Sequence, residues 1–262
     1  MNGSKLLTEQ RHRRIMVLIQ SQEVVTIDRL MDEFKVSQMT IWRDLNCLEQ
    51  DGKVRRVRGG VTQVERSSTS EPLYKSKRVV QKETKRTIGQ YVARNFIKDN
   101  DIIILEAGIT VGAMIEFIDQ DNLTVITNGL GNLNDLSVLV PGISVLSCGG
   151  ILRNVAYTFV GPQAESFFQN LRAHTFFLSC TGLTFPEGIT DPSLLEIQVK
   201  RAMADSAGRI VLLIDSTKFG ARSLAPILPL DRIQAVVTDD RAPQLDIDRL
   251  REMGIDVFIA GE

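Results

Sequence analysis

SQMTIWRDL, residues 37–45, sets two kinds of residue at helical spacing. Ile41, Leu45 and, a turn later, Leu48 recur at i, i+4 and i+7, the stripe that a helix buries. Gln38, Met39, Trp42, Arg43 and Asn46 fall on the other side. A tryptophan and an arginine turned together away from a core need something to meet.

The flanks say what. A first helix is expected from near Thr8, with Ile15, Leu18 and Ile19 inward. A second has Thr26 as its N-cap, and Ile27, Leu30, Met31 and Phe34 follow i, i+3, i+4, i+7. Only Lys35 and Val36 separate it from Ser37, which can cap the third. Two short amphipathic helices joined by so short a turn describe a helix-turn-helix, with the opening stretch as its second member. Asp51-Gly52 is a turn signal that ends that helix. KVRRVRGG, residues 53–60, then sets Val54 and Val57 inward and Lys53, Arg55, Arg56 and Arg58 outward, and Gly59-Gly60 allows a tight return. This reads as a β-wing carrying phosphate contacts. A merely solvated basic loop is the bland alternative, weakened by the helix-turn-helix in front of it.

Charge agrees. The net formal charge is −1, yet residues 1–86 hold 18 Lys+Arg against 11 Asp+Glu, and the remainder holds 13 against 21. A basic head on an acidic body points to a polyanionic partner for the head. In a helix-turn-helix the N-terminal residues of the second helix enter the major groove of double-stranded DNA. Arg43 suits guanine O6 and N7, Gln38 suits adenine or a phosphate, and Thr40 suits a thymine methyl or a phosphate oxygen. The expected DNA-contacting set is Thr26, Ser37, Gln38, Met39, Thr40, Trp42, Arg43, Arg55, Arg56 and Arg58. Two readings of Trp42 stand side by side, a contact with a sugar or thymine methyl and packing against the wing.

The run SQMTIWRDLNCLEQDGKVRRVRGGV, residues 37–61, resembles the N-terminal domain of the DeoR/GlpR family of bacterial transcriptional regulators. Ser37, Thr40, Ile41, Arg43, Asp44, Leu45, Leu48, Glu49, Gly52, Gly59 and Gly60 carry the match. Trp42 stands where the family usually has an arginine, and Arg58 where it often has a histidine.

From Thr62 to about Val80 periodicity lapses and Ser, Thr and charge dominate, as suits an exposed connector. A basic helix is expected over Gln81 to Lys98. Beyond it, DIIILEAG, LTVITNG, ISVLSCGG, HTFFLSCTG, RIVLLIDS, QAVVTDD and IDVFIA read as buried strands, many separated by helical stretches. That alternation predicts βαβ units and a mostly parallel sheet. Ligands of open α/β sheets bind at the carboxyl ends of strands. Those ends collect small and polar residues here: Glu106 to Thr110, Thr127-Asn128-Gly129, Gly149-Gly150 with Arg153, Thr181-Gly182, and Asp215 to Lys218. Gly-rich turns at helix starts offer backbone N–H groups to anions, and Arg153 and Lys218 add charge. A phosphorylated small molecule fits. Each loop alone reads better as an ordinary tight turn, and it is five of them on one edge that favour a pocket.

The family resemblance extends over this body through Gly108 and Thr110, Thr127-Asn128, Gly149-Gly150, Gly161-Pro162 with Glu165, Glu196 with Lys200, and DSTKFG at 215–220. It implies an α/β sensor domain similar to ribose-5-phosphate isomerase that binds sugar phosphates or related intermediates. The expected effector set is Gly108, Ile109, Thr110, Thr127, Asn128, Gly149, Gly150, Arg153, Thr181, Glu196 and Lys218. Ile109 replaces the family's hydroxyl residue, and Thr181-Gly182-Leu183-Thr184 replaces its Asp-Gly-Ile-Asp.

The expected organisation is a winged helix-turn-helix over residues 1–61, a connector over 62–80, and an effector-sensing α/β domain over 81–262. An isomerase with a DNA-binding appendage is the alternative. It needs a carboxylate base, and the strand that ends in Thr181 and Thr184 supplies hydroxyls instead. His12 and His174 offer no catalytic pattern. GLGNLN at 129–134 lacks the third glycine of a dinucleotide motif. Cys47, Cys148 and Cys180 are odd in number and widely spaced, so free buried thiols are expected, with no disulfide framework, metal site or cofactor. Hydrophobic content of 43% with no apolar run of membrane-spanning length predicts a cytoplasmic protein without a membrane partner. The resemblance implies repression relieved by an effector, and paired half-sites imply a homodimer or homotetramer.

Overall fold

The computed structural model describes residues 8–20, 25–50, 54–57, 60–63 and 74–261. They fall into two compact units, residues 1–66 and 67–262.

The first unit contains α1 (Thr8–Gln20), α2 (Ile27–Phe34), α3 (Gln38–Gln50), β1 (Val54–Val57) and β2 (Gly60–Gln63). Thr26 caps α2 by accepting a hydrogen bond from the Arg29 N–H at 3.3 Å, and Ser37 Oγ accepts from the Thr40 N–H at 3.4 Å. The expected stripes pack together: Ile15 and Ile19 meet Leu30 and Phe34 of α2, Ile41, Leu45 and Leu48 of α3, and Val54 of the wing. β1 and β2 pair antiparallel, with Val54 opposite Gln63 and Val57 opposite Gly60. Val25 adds a bridge to Val61, with both N–H···O distances 2.8 Å, so the wing is stitched to the start of α2.

The second unit runs α4 (Tyr74–Val79), α5 (Lys82–Phe96), β3 (Ile102–Leu105), α6 (Ile109–Gly112), β4 (Thr124–Thr127), α7 (Leu130–Leu139), β5 (Ser144–Ser147), β6 (Ile151–Arg153) and β7 (Thr158–Val160). It continues with α8 (Pro162–Gln169), β8 (Ala173–Leu178), β9 (Gly182–Thr184), β10 (Gly188–Asp191), α9 (Leu194–Asp205), β11 (Ala207–Leu213), β12 (Ala225–Pro226), β13 (Ala235–Asp239), α10 (Gln244–Glu252) and β14 (Asp256–Ala260). The seven strands expected from the sequence form one parallel sheet, ordered β14-β13-β11-β8-β3-β4-β5. Successive residues feed opposite cores: Ile104, Phe176, Leu178 and Leu212 face one side, and Ile103, Leu105, Phe177, Val211 and Leu213 the other. Burial on both faces is why the inner strands are continuous apolar runs rather than alternating ones; β5, also expected to be buried, is mostly exposed because it is an edge strand.

The order contains one reversal. From β3 the chain builds outward through β4 to β5, then returns to place β8 on the other side of β3 and continues to β14. The carboxyl ends of β3 and β8 therefore border the crevice where open α/β sheets hold ligands.

Three expectations change. The connector of 62–80 is ordered at both ends: Thr62 and Gln63 complete β2 opposite Arg55 and Val54, and Tyr74–Val79 form α4. α4 lacks apolar periodicity, because its side-chain and main-chain partners come from elsewhere in the unit. The β6–β7 hairpin and the three-stranded sheet β12-β10-β9 were not anticipated, their strands being only two to four residues long and rich in Thr, Gly and charge. Among the thiols, Cys148 and Cys180 are buried as expected and Cys47 is exposed, since position 47 lies off the 41/45/48 stripe.

α5 lies against α6 so closely that a Cβ on Gly89 would stand 2.6 Å from the Ala113 carbonyl carbon and the Met114 nitrogen. Backbone cannot step aside as a flexible side chain does. Gly89→Ala is expected to cost the second unit about 2 kcal/mol, despite alanine's better helix propensity, read as a lower denaturant midpoint. An unchanged or raised midpoint would show that α5 can shift freely.

Candidate functional site

On α3, Gln38, Met39, Arg43 and Asn46 are exposed, with Met39 at 73% of its full accessibility. Thr40 is half-buried, and its hydroxyl lies 3.0 Å from that of Ser37. Trp42 is half-buried, and the Arg56 guanidinium stands 4.6 Å from its ring centroid. Arg56 Nε also reaches Glu49 at 3.0 Å, so one wing arginine grips two residues of α3. Trp42 and Arg56 thus brace the wing against the helix, and Arg43 keeps the outward position. Thr26 is exposed at the α2 cap. The Arg55 side chain and the whole of Arg58 lie outside the described residues.

Beneath this face sits a buried acid. Asp44 accepts from Arg11 Nε at 2.5 Å and Arg11 Nη2 at 2.9 Å, and its Oδ1 lies 3.0 Å from His12 Nε2. The hydrogen bond to Asp44, aided by its charge, raises the Arg11 pKa above its ordinary value against the opposing effect of burial. Asp44 shares the buried stripe with Ile41, Leu45 and Leu48, and an acid at such a position demands a cation opposite it. That demand was the available sequence signal for Arg11.

In the second unit the switch point is polar and packed. Lys200, on α9, is buried, and its three N–H donors meet Asp191 Oδ2 at 2.5 Å, Ser179 O at 2.9 Å and Glu106 Oε1 at 3.2 Å. Burial pulls the Lys200 pKa down, but Asp191, Glu106 and Glu196 outweigh it and hold the ammonium charged. Burial pushes the Glu106 carboxyl up, with Lys200 opposing. Glu106 Oε2 has no hydrogen-bond partner among the described residues. A Cβ on Gly108 would stand 2.4 Å from it, so a larger residue at 108 would make the Glu106 carboxylate move. Glu196 takes Arg153 and, at 2.7 Å, the Thr158 hydroxyl. Thr181 is drawn in through Asp191 Oδ1, 2.8 Å from both its nitrogen and its hydroxyl.

The neighbouring loop is braced from within. Thr127 Oγ1 donates to Leu105 O at 2.6 Å and accepts from Gly129 N and Asn132 Nδ2. Asn128 Oδ1 accepts from Ala107 N at 3.1 Å. Gly108 precedes α6, which Ile109 and a buried Thr110 begin. Gly149 and Gly150 turn into β6 with φ of 62° and 106°, a backbone region that favours glycine. A Cβ on Gly150 would also meet Val160 O at 2.7 Å. Lys218 is half-buried in the turn whose Asp215 accepts from Thr217 N at 3.0 Å, and its charge is felt at Cys180 and Lys85. Burial pushes the Cys148 and Cys180 thiols up to about 12, which removes them as nucleophiles.

The structure therefore gathers Arg153, Thr181 and Glu196 around Lys200, and Gly108 to Thr110 beside Thr127 and Asn128. Sequence reasoning named Glu106 and Lys200 only as members of motifs and missed Asp191. A cleft of about 440 Å³ lined by Phe168, Arg172, Arg201 and Asp205 shares no residue with this cluster.

Asp44→Asn keeps the side-chain shape but leaves Arg11 facing a neutral amide. It is expected to destabilise the first unit by about 3 kcal/mol, seen in calorimetry of the full chain as an earlier transition for that unit and an unmoved one for the second. Equal movement of both transitions would contradict a local clamp.

Residues 80–240 match the DeoR C terminal sensor domain, and residues 11–67 match the DeoR-like helix-turn-helix domain. The HTH-type transcriptional regulator GolR of Listeria innocua is 31% identical over 252 residues, 96% of this chain and 98% of that protein. The HTH-type transcriptional regulator IolR of Bacillus subtilis is 31% identical over 221 residues, 84% of this chain and 86% of that one. Ribose 5-phosphate isomerase A from Neisseria gonorrhoeae aligns in structure with a TM-score of 0.40 and 14% identity, over 55% of this chain and 56% of the isomerase. The sorbitol operon regulator SorC from Klebsiella pneumoniae aligns with a TM-score of 0.36 and 10% identity, over 79% of this chain and 90% of SorC. With a DeoR-type reading head and a DeoR-type sensor in one chain, the protein belongs to the DeoR/GlpR family of helix-turn-helix transcriptional regulators.

Proposed function

We propose that the protein is a cytoplasmic repressor of genes of carbohydrate metabolism, and that a phosphorylated sugar or related metabolite at the switch point sets its hold on an operator. The observation that carries the DNA half is α3: an outward row of Gln38, Met39, Arg43 and Asn46 over an ionic clamp that fixes the angle of the helix. Arg43 reads a base edge, and Gln38 assists it from the first turn. Trp42 and Arg56 hold the wing so that Arg55 and Arg58 reach phosphates. A homodimer or homotetramer sets two such heads on paired half-sites.

The ligand half rests on the chemistry of the strand ends. Backbone N–H groups at the start of α6 and α7, with Lys218, suit a phosphate. Arg153 already serves Glu196, so it contributes to an anion site by sharing or exchanging that partner. The unpartnered Glu106 Oε2 is the atom offered to a ligand hydroxyl. We favour a switch over an isomerase because the Thr181 hydroxyl, where a base is needed, donates to Asp191 and has no carboxylate's basicity.

The test is DNA selection from a random pool by the full chain, followed by titration of the complex with sugar phosphates. Binding that no phosphorylated compound alters would remove the ligand half and leave the DNA half standing. Arg43→Ala should lose about tenfold or more in preference for selected over random DNA, from the roughly 1–3 kcal/mol of a bidentate base contact. Arg55→Ala should weaken both complexes alike and lower the salt slope by about 0.9. Equal losses on both DNAs for both variants would refute this division of roles.

A further inference from the structure

The β6–β7 hairpin touches two things at once. Where its turn begins, Arg153, paired across the hairpin with Thr158, reaches Glu196 of the switch-point cluster. Its second strand is tied to the braced loop, since Phe159 N donates to Asn128 O at 2.8 Å and Leu130 N to Tyr157 O at 2.9 Å. Its tip holds α4. Tyr74 N donates to Val155 O at 2.8 Å, and the rings of Tyr74 and Tyr157 stack with centroids 4.9 Å apart and planes 18° apart.

The tip is also strained. Tyr157 has φ of 57°, left-handed backbone that a bulky residue seldom adopts, and it is held there by its N–H to Arg153 O at 2.8 Å and by the stack. Tyr74 has a second seat on α7. A Cβ on Gly131 would stand 2.0 Å from the Tyr74 hydroxyl and 2.7 Å from Cζ, so glycine at 131 is what lets the ring lie there. At the far end of α4, buried Lys85 donates to Lys77 O at 2.9 Å and Val80 O at 2.7 Å, and Arg78 reaches Asp135 of α7 at 3.5 Å. In sequence, α4 is the first described element of the second unit.

We propose that the Tyr74–Tyr157 clasp is the coupling element of the switch. A ligand anion that draws on Arg153 changes the hairpin's hold on Glu196, the strained tip shifts, and α4 is gripped or released. This rests on the regulator reading above. Tyr74 and Tyr157 act as positioning residues, touching neither DNA bases nor ligand.

Two variants of the full chain open the clasp by different means. Gly131→Ala evicts the Tyr74 ring by adding one methyl group at a helical position and removes no group. Tyr157→Asn deletes the ring and accepts the left-handed backbone. Tyr74→Phe keeps the ring and serves as the conservative control. Deuterium exchange should show amides 74–80 opening at least tenfold more often in the two variants, with the sheet strands unchanged. Affinity for the DNA selected by the wild type should shift at least tenfold, in the same direction for both, while Tyr74→Phe stays within about twofold. Raised exchange with unchanged affinity overturns the clasp as coupler while the regulator reading stands. Unchanged exchange overturns the clasp outright. If the wild-type chain selects no DNA sequence, the regulator reading fails, and the clasp falls with it.

Discussion

A buried ammonium organises the second unit. Lys200 reaches from α9 to the ends of β3, β8 and β10 through Glu106, Ser179 and Asp191, and no N–H is left over. Taking such a charge out of water costs several kcal/mol, which the facing carboxylates largely offset. An apolar side chain of like size would serve stability about as well. What the ion cluster provides is position: three elements distant in sequence are held in register at the one place where the sheet's order reverses. The imbalance of the cluster is also informative. Its carboxylates outnumber its cations, and Glu106 keeps one oxygen unpartnered among the described residues. A buried polar atom of that kind is costly unless something meets it, and the ligand we propose at the switch point would do so.

The first unit solves a similar problem with a similar device. Its core is small, built of Ile, Leu, Val and Phe34 from three helices and a two-stranded wing. Apolar packing alone leaves a short helix some freedom to roll. The fork of Arg11 on Asp44 removes it, because two parallel N–H···O bonds fix orientation as well as distance. The Arg56 stack on Trp42 does the same for the wing. The tryptophan and arginine of the opening stretch therefore part company: one braces the wing and the other stays outward and exposed.

Much of this was legible in the sequence. The three helices and the wing follow from apolar spacing and turn residues, and the seven parallel strands from their unbroken apolar runs. Each rests on a periodic pattern that burial imposes. The β6–β7 hairpin, the three-stranded sheet and α4 were not legible, because their stability comes from single tertiary contacts. Tyr74 makes α4 worth forming, and nothing in YKSKRV announces that its partner is Tyr157. The Lys200 cluster was half legible. Its members Glu106 and Lys200 sit in motifs, but their meeting with Asp191 depends on the crossover that sets β8 beside β3.

The distribution of stiffness across the site narrows how a ligand can act. Thr127, Asn128 and Asn132 spend their hydrogen-bonding groups on one another and on neighbouring backbone, so any rearrangement of the loop after β4 must break several bonds at once. A ligand shifts an equilibrium only through unequal affinity for two states, and a loop braced in this way is a poor transmitter. The hairpin differs. It holds a tyrosine in left-handed backbone, and its Arg153 is bound to a carboxylate with which the proposed anion would compete. Strain that a contact holds in place is released when the contact goes, so small changes at Arg153 have somewhere to travel. In the switch proposed above, the braced loop recognises and the strained hairpin responds, and the boundary between them runs along the bonds from Asn128 to Phe159 and from Leu130 to Tyr157.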